Sequence, residues 1–144
     1  MKLNCVVKGM ELIGTVIKKF NIENNIADIS REGKHCFGLN INEPEFQMVD
    51  NTLLAYMLID FEIEVDQDEE QSCRLQLSLE GAFISEEGMD QNAFKNLVIV
   101  NGAAALIGIA RGKIEAISAN IFNSGKIVIP FVNVVDYYKR IINE

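Results

Sequence analysis

The chain has one histidine, two prolines, three cysteines and no tryptophan among its 144 residues. Each scarcity removes a class of explanation. Cys5, Cys36 and Cys73 are an odd set with no CxxC pair. They exclude a disulfide framework, a zinc ribbon and a thioredoxin-like motif, and a reducing cytoplasm is the expected setting. The single histidine, His35, has only Cys36 beside it. Strand neighbours point to opposite faces, so the two do not make a dyad there. GxGxxG, P-loop and HExxH patterns are missing. We therefore expect no catalytic residue, no metal and no cofactor. Bases are also short: 13 Lys and Arg against 21 Asp and Glu give a net charge of -8 and a pI near 4.7. That argues against nucleic acid, because neutralising phosphates needs clustered Lys and Arg. Long apolar runs are lacking as well. Lys8 and Glu11 interrupt the N-terminal stretch before a signal-type core forms. The longest uncharged run, Asn96–Ala110, falls short of the roughly 20 residues that span a bilayer, so stable membrane insertion is not expected.

What is present is an ordinary globular balance, 49% apolar and 24% charged residues. The length fits one domain covering 1-144, large enough to bury a core without staples. The first two-thirds read as strands. Leu12–Ile22 is β-branched and mixed, and Asn24-Asn25 ends it. Arg31–Lys34 signals a turn, and His35–Ile41 reads as a second strand stopped by Glu43-Pro44. From Leu54 to Asp66, Ile59, Phe61, Ile63 and Val65 alternate with Asp60, Glu62, Glu64 and Asp66. Cys73, Leu75, Leu77 and Leu79 then alternate with Arg74, Gln76 and Ser78. Period two means one buried and one wet face, and the short acidic link predicts an antiparallel pair. Asp90 is a candidate N-cap for a long helix from about Leu97 to Phe122 or Asn123. Gly125 fits a C′ position, and Val134–Ile142 reads as a closing helix.

The long helix carries two stripes. Ala103, Ile107, Ala110, Ile114, Ile117 and Ile121 make a heptad-like seam, and Ala104, Gly108, Gly112 and Ala116 recur every fourth residue. Each helical glycine costs about 0.8–1.0 kcal/mol against Ala, which close packing would offset. One sheet covers only one side of such a helix. Self-association through Ala104, Ile107, Gly108, Arg111, Gly112 and Ile114 is the expectation; a helix wrapped inside one curved sheet is the rival. Among exposed features, Asp60–Glu70 holds seven acids and no base. It reads as a solvated face or as a docking surface for a basic partner. Strand carboxylates splay too far apart to favour a cation site. Phe37, Phe46, Phe83, Phe131, Tyr137 and Tyr138 flank the elements. They are read as packing residues, some of which line an apolar groove for extended peptide.

The stretch NGAAALIGIARGKIEAISANIFNSGKIVIPFVNVVDYY resembles the SecB-type export chaperones. Ala110-Arg111 stands at that family's Tyr-Ala-Arg segment, with Ile114 at a family aliphatic. Pro130, Val132 and Asn133 match its Pro-Pro-Val-Asn element, and Tyr137 and Tyr138 its Leu-aromatic pair. Glu80-Gly81-Ala82-Phe83 resembles the end of its fourth strand, and Asn21-Ile22-Glu23 its Ser-Phe-Glu. Coverage runs from about Val16 to Tyr138. Ile109 replaces the family tyrosine, Phe131 replaces the second proline, and Asp28–Asn51 does not match. The resemblance implies an α+β fold: a four-stranded antiparallel sheet, a long helix and a short C-terminal helix, assembled as a dimer of dimers. It implies ATP-independent capture of unfolded preproteins for export. Clients would lie in grooves lined by Phe37, Phe83, Phe131, Val132, Tyr137 or Tyr138. It also implies docking of the SecA motor on the Asp60, Glu62 and Glu64 face. Some SecB-like proteins instead protect the antitoxin of a toxin–antitoxin pair. The enzyme rival is a hotdog-type thioesterase or dehydratase, for which Asp90 is the only acid near the helix start. A plain scaffolding module is a third reading.

Overall fold

Alternation in the two central strands sets the architecture. The computed structural model describes residues 6–68 and 70–143. Strands β4 (Thr52–Asp68) and β5 (Gln71–Ser85) form a long antiparallel hairpin in which Ile59 faces Leu79, Phe61 faces Leu77 and Ile63 faces Leu75. β1 (Met10–Asn24) pairs with the far side of β5, and β2 (Lys34–Ile41) with the far side of β4. The path β1-β5-β4-β2 is the expected four-stranded sheet, and it needs one correction. A fifth strand, β3 (Glu45–Val49), also pairs with β4, end to end with β2. Pro44 does stop β2, but the chain re-enters the sheet one residue later. A two-residue turn at Asp50-Asn51, with Asp50 at φ 54°, then joins β3 to β4.

All the alternate apolar side chains of β4 and β5 point to one face and are buried there. A helical layer covers them. It consists of α1 (Gln91–Leu97), a wide π turn over Val98–Gly102, and α2 (Ala103–Ala119). The helix starts at Gln91, six residues before the expected Leu97, because the Asp90 carboxylate accepts the Ala93 N–H (3.0 Å) and caps it directly. It ends at Ala119, not Phe122. Asn120 is the C-cap, its N–H turning to the Ile117 carbonyl (3.0 Å) and its side chain donating to the Ala116 carbonyl (2.9 Å). Gly125 therefore is not the C′ residue. It lies in the following loop at φ 81°, where any β-carbon would press on the Ile29 backbone.

Two glycines bring helix and sheet together. A β-carbon on Gly81 would collide with Leu106, and one on Gly102 would meet the Phe83 ring at 3.1 Å. Phe94, Val98, Leu106, Ala110 and Ile114 pack in this space. As a single unit from Gln91 to Ala119 the helix spans 29 residues, long and apolar enough by length and composition to cross a membrane. Here its sheet-facing side closes the core instead. Beyond it, Ile127 and Ile129 dip back into the core, and α3 (Val134–Asn143) docks by Val134. The Ile41 backbone N–H donates to the Tyr137 hydroxyl (2.9 Å) and ties α3 to the end of β2.

Candidate functional site

The wet face of the sheet carries the expected acids in register. Asp60, Glu62 and Glu64 sit on one side of β4, opposite Ser78, Gln76 and Arg74 of β5. They are not equivalent. Asp60 is partly covered, which acts to raise its carboxyl. Hydrogen bonds from Ser78, Asn42 and Asn40 and the Lys19 charge outweigh that and hold it below the usual carboxylate value. Glu64 forms an exposed ion pair with Arg74 (3.3 Å). Glu62 receives only the Gln76 amide, at 3.4 Å. Gly38 stands opposite Glu62 and offers no side chain, so a cavity of about 470 Å³ opens beside Asp60 and Glu62.

The aromatic residues separate into distinct environments. Phe83 is 1% exposed beneath Gly102. It belongs to the core and presents nothing to a client, which corrects its assignment to a groove. Phe37 is half-buried on the inward row of β2 and packs on Phe61 with ring centroids 5.6 Å apart. Tyr137 and Tyr138 meet edge to face at 5.5 Å, and burial raises the Tyr138 hydroxyl above its usual pKa. Val132 is half-buried against the core. Phe131 differs most: it is 88% exposed. The Arg111 guanidinium lies 4.1 Å from its ring centroid and also donates to the Ile129 carbonyl (3.0 Å). Arg111 thus holds the loop in place, and one side of the Phe131 ring stays open.

Sequence reasoning missed Val128 and Val135, two further exposed apolar side chains three residues before and four residues after Phe131 in the chain. The signal was available. Ile127, Val128, Ile129 and Pro130 alternate as a short extended segment does, so Val128 must turn outward when Ile127 and Ile129 turn inward.

The two helix stripes face opposite ways. Ile107 and Ile114 are buried on the chain's own sheet, which corrects their assignment to an oligomer face. Ala104, Gly108, Gly112 and Ala116 are exposed, and added β-carbons on Gly108 and Gly112 would meet nothing within 4 Å. Elsewhere the chemistry is structural. The Asp90 carboxylate is occupied as a cap, and His35 Nε2 contacts the Ser30 carbonyl oxygen at 2.9 Å. Burial raises the Cys73 thiol above its usual pKa, away from the reactive thiolate form. Among the described residues, no three His, Cys, Asp or Glu side chains converge as a metal site.

This fold has a solved counterpart. The fold is SecB-like. The SecB-like chaperone Rv1957 of Mycobacterium tuberculosis, solved in complex with a ChAD peptide from the HigA1 antitoxin, matches over 87% of this chain and 91% of its own. The TM-score is 0.58 and the identity 8%, a likeness of fold. A Streptococcus agalactiae protein of unknown function aligns over 88% of this chain and all of its own, at 10% identity and a TM-score of 0.49. No family model and no curated protein matches the sequence.

Proposed function

We propose that this protein is an ATP-independent chaperone that holds unfolded polypeptides on apolar surface and performs no chemistry on them. The observation that carries the reading is the run of exposed apolar side chains Val128, Phe131 and Val135 on one short segment of a SecB-like fold. Burying such surface yields about 25 cal/mol per Å² before the costs of association, so each contact is weak. Several copies of the groove on one assembly raise the hold on a long client by multivalency.

A dimer of dimers supplies those copies and needs two different interfaces. The monomer leaves two surfaces of the right kind open. One is the small-residue row Ala104, Gly108, Gly112 and Ala116. The other is the free edge of β1, where Leu12, Ile13, Val16 and Ile17 are exposed. The clients in this reading are preproteins kept ready for export in a reducing cytoplasm, with SecA docking on Asp60, Glu62 and Glu64. A second reading follows from the antitoxin peptide bound by the mycobacterial neighbour: the client here is one dedicated antitoxin. Thioester hydrolysis is the weaker alternative, because Asp90 is engaged as a cap.

The test is aggregation of a chemically denatured model protein on dilution, with the mass of the chaperone measured in parallel. The reading expects suppression by an oligomer without nucleotide. A monomer that leaves aggregation unchanged removes it, as does acyl-CoA turnover abolished by Asp90→Asn.

A further inference from the structure

Charge in this chain is divided between its two layers. Residues 1–90 hold eighteen acids and seven bases, whereas residues 91–144 hold six bases and three acids. The sheet layer is therefore strongly acidic and the helical layer mildly basic. Where the two meet, the loop between β1 and β2 and the loop after α2 enclose a pocket of about 490 Å³. Its floor and wall include Ile29, Ala119 and Val128, and its rim carries Arg31, His35 and Lys126, with no Asp or Glu among the lining residues. Two nearby acids are already engaged, and a third, Glu32, follows Arg31 in the chain. Asp28 accepts hydrogen bonds from Ser124 (2.7 Å) and Asn123 (3.0 Å). Glu115 lies 3.8 Å from Lys126 and 4.0 Å from Arg111. Arg31 forms no ion pair among the described residues.

The pocket's His35 also begins the inward row of β2, on which Phe37 and Leu39 are half-buried. His35, Phe37, Leu39 and Ile41 share the inward row of β2, and Tyr137 sits at its far end. At about 3.3 Å per residue the partly open stretch from His35 to Leu39 is about 13 Å long, enough for a short extended segment. We propose that the pocket receives a carboxylate side chain of a bound polypeptide, so that the protein selects apolar segments flanked by Asp or Glu. This names the client class for the holdase reading and rests on it. Complementary charge acts here as a selector, while the apolar contacts supply the hold. A basic flank would lose the rim contacts and meet Arg31 and Lys126 as like charges.

The experiment compares three labelled peptides that share one apolar aromatic core, flanked by Asp and Glu, by Ser and Gly, or by Lys and Arg. Each is titrated into the full chain by fluorescence anisotropy, at low and high salt. With Arg31 unpaired among the described residues and Lys126 already shared with Glu115, the acidic peptide should bind about threefold to fivefold tighter than the basic one, and salt should narrow the gap. Arg31→Gln combined with Lys126→Gln should bring the two within about twofold and leave the neutral peptide unchanged. Inorganic phosphate serves as a competitor. Release of the acidic peptide to the level of the neutral one supports a shared anion site. Equal or tighter binding of the basic peptide, or a preference that survives the double substitution, overturns the selectivity and leaves the holdase reading standing. Failure of all three peptides, together with unsuppressed aggregation, removes the holdase reading and this proposal with it.

Discussion

The sheet layer and the helical layer of this protein solve opposite problems. The central strands β4 and β5 bury their apolar row completely, down to Phe83 under Gly102, and turn acids to water on the other face, while the edge strand β1 keeps Leu12, Ile13, Val16 and Ile17 exposed. The helical layer buries one stripe and leaves the rest open: Ala104, Gly108 and Gly112 on α2, then Val128, Phe131 and Val135 beyond it. The difference teaches that β4 and β5 close the core, and that the helical layer is where the proposed client and assembly surfaces lie. An exposed row of glycines in a helix is costly without a partner, and an exposed phenylalanine held by an arginine gains nothing for a lone monomer.

The contrast is sharpest between two phenylalanines. Phe83→Ala should cost about 3–5 kcal/mol in stability, measured by urea unfolding, since it empties a closed core. Phe131→Ala should cost less than about 1 kcal/mol and reduce client capture instead. If both variants lose stability equally, the two layers are not functionally distinct. The next test concerns the open helix row. Gly108→Leu with Gly112→Leu should raise monomer stability by about 1–2 kcal/mol through helix propensity, while lowering the assembly mass in sedimentation. An unchanged mass would place the oligomer contact elsewhere.

Smaller effects belong to the acidic face. Glu62→Lys with Glu64→Lys should change stability by about 1 kcal/mol or less, because both side chains are exposed, yet weaken binding of a basic partner such as SecA without changing assembly mass. Unaltered affinity counts against that docking face. The smallest effect is in acid. Hydrogen bonds from Ser78, Asn42 and Asn40 outweigh partial burial and hold the folded Asp60 carboxyl below the ordinary aspartate range, so its contribution is present above that range and lost as pH falls through the folded value. In Asp60→Asn the stability profile should fall less steeply below about pH 4, followed by thermal unfolding across an acid series. A slope equal to wild type would show that these bonds persist in the protonated form.

Much of this was legible in the sequence, for identifiable reasons. The alternation of Ile59 to Val65 with Asp60 to Asp66 fixed both faces of β4, because a half-buried strand has no other way to satisfy period two. The two helix stripes were visible as spacings, but which one met the sheet was not. Ile107 and Ile114 won because they fill more core volume than a glycine row can. β3 was hidden because Pro44 ends one strand and Glu45 begins the next, and its five exposed residues have no buried face to reveal a period. Phe83 was misplaced because only the packing of Gly102 shows that its ring is covered. The pocket at Arg31, His35 and Lys126 joins residues about ninety positions apart, which no local pattern records.

The most direct test of the account is light scattering during refolding of a denatured client, comparing wild type with a variant carrying Val128→Ser, Phe131→Ser and Val135→Ser. Wild type should suppress the signal without nucleotide, and the triple variant, folded and of the same mass, should not. Equal suppression by both proteins, or none by either, would contradict the claim that this surface holds unfolded chains.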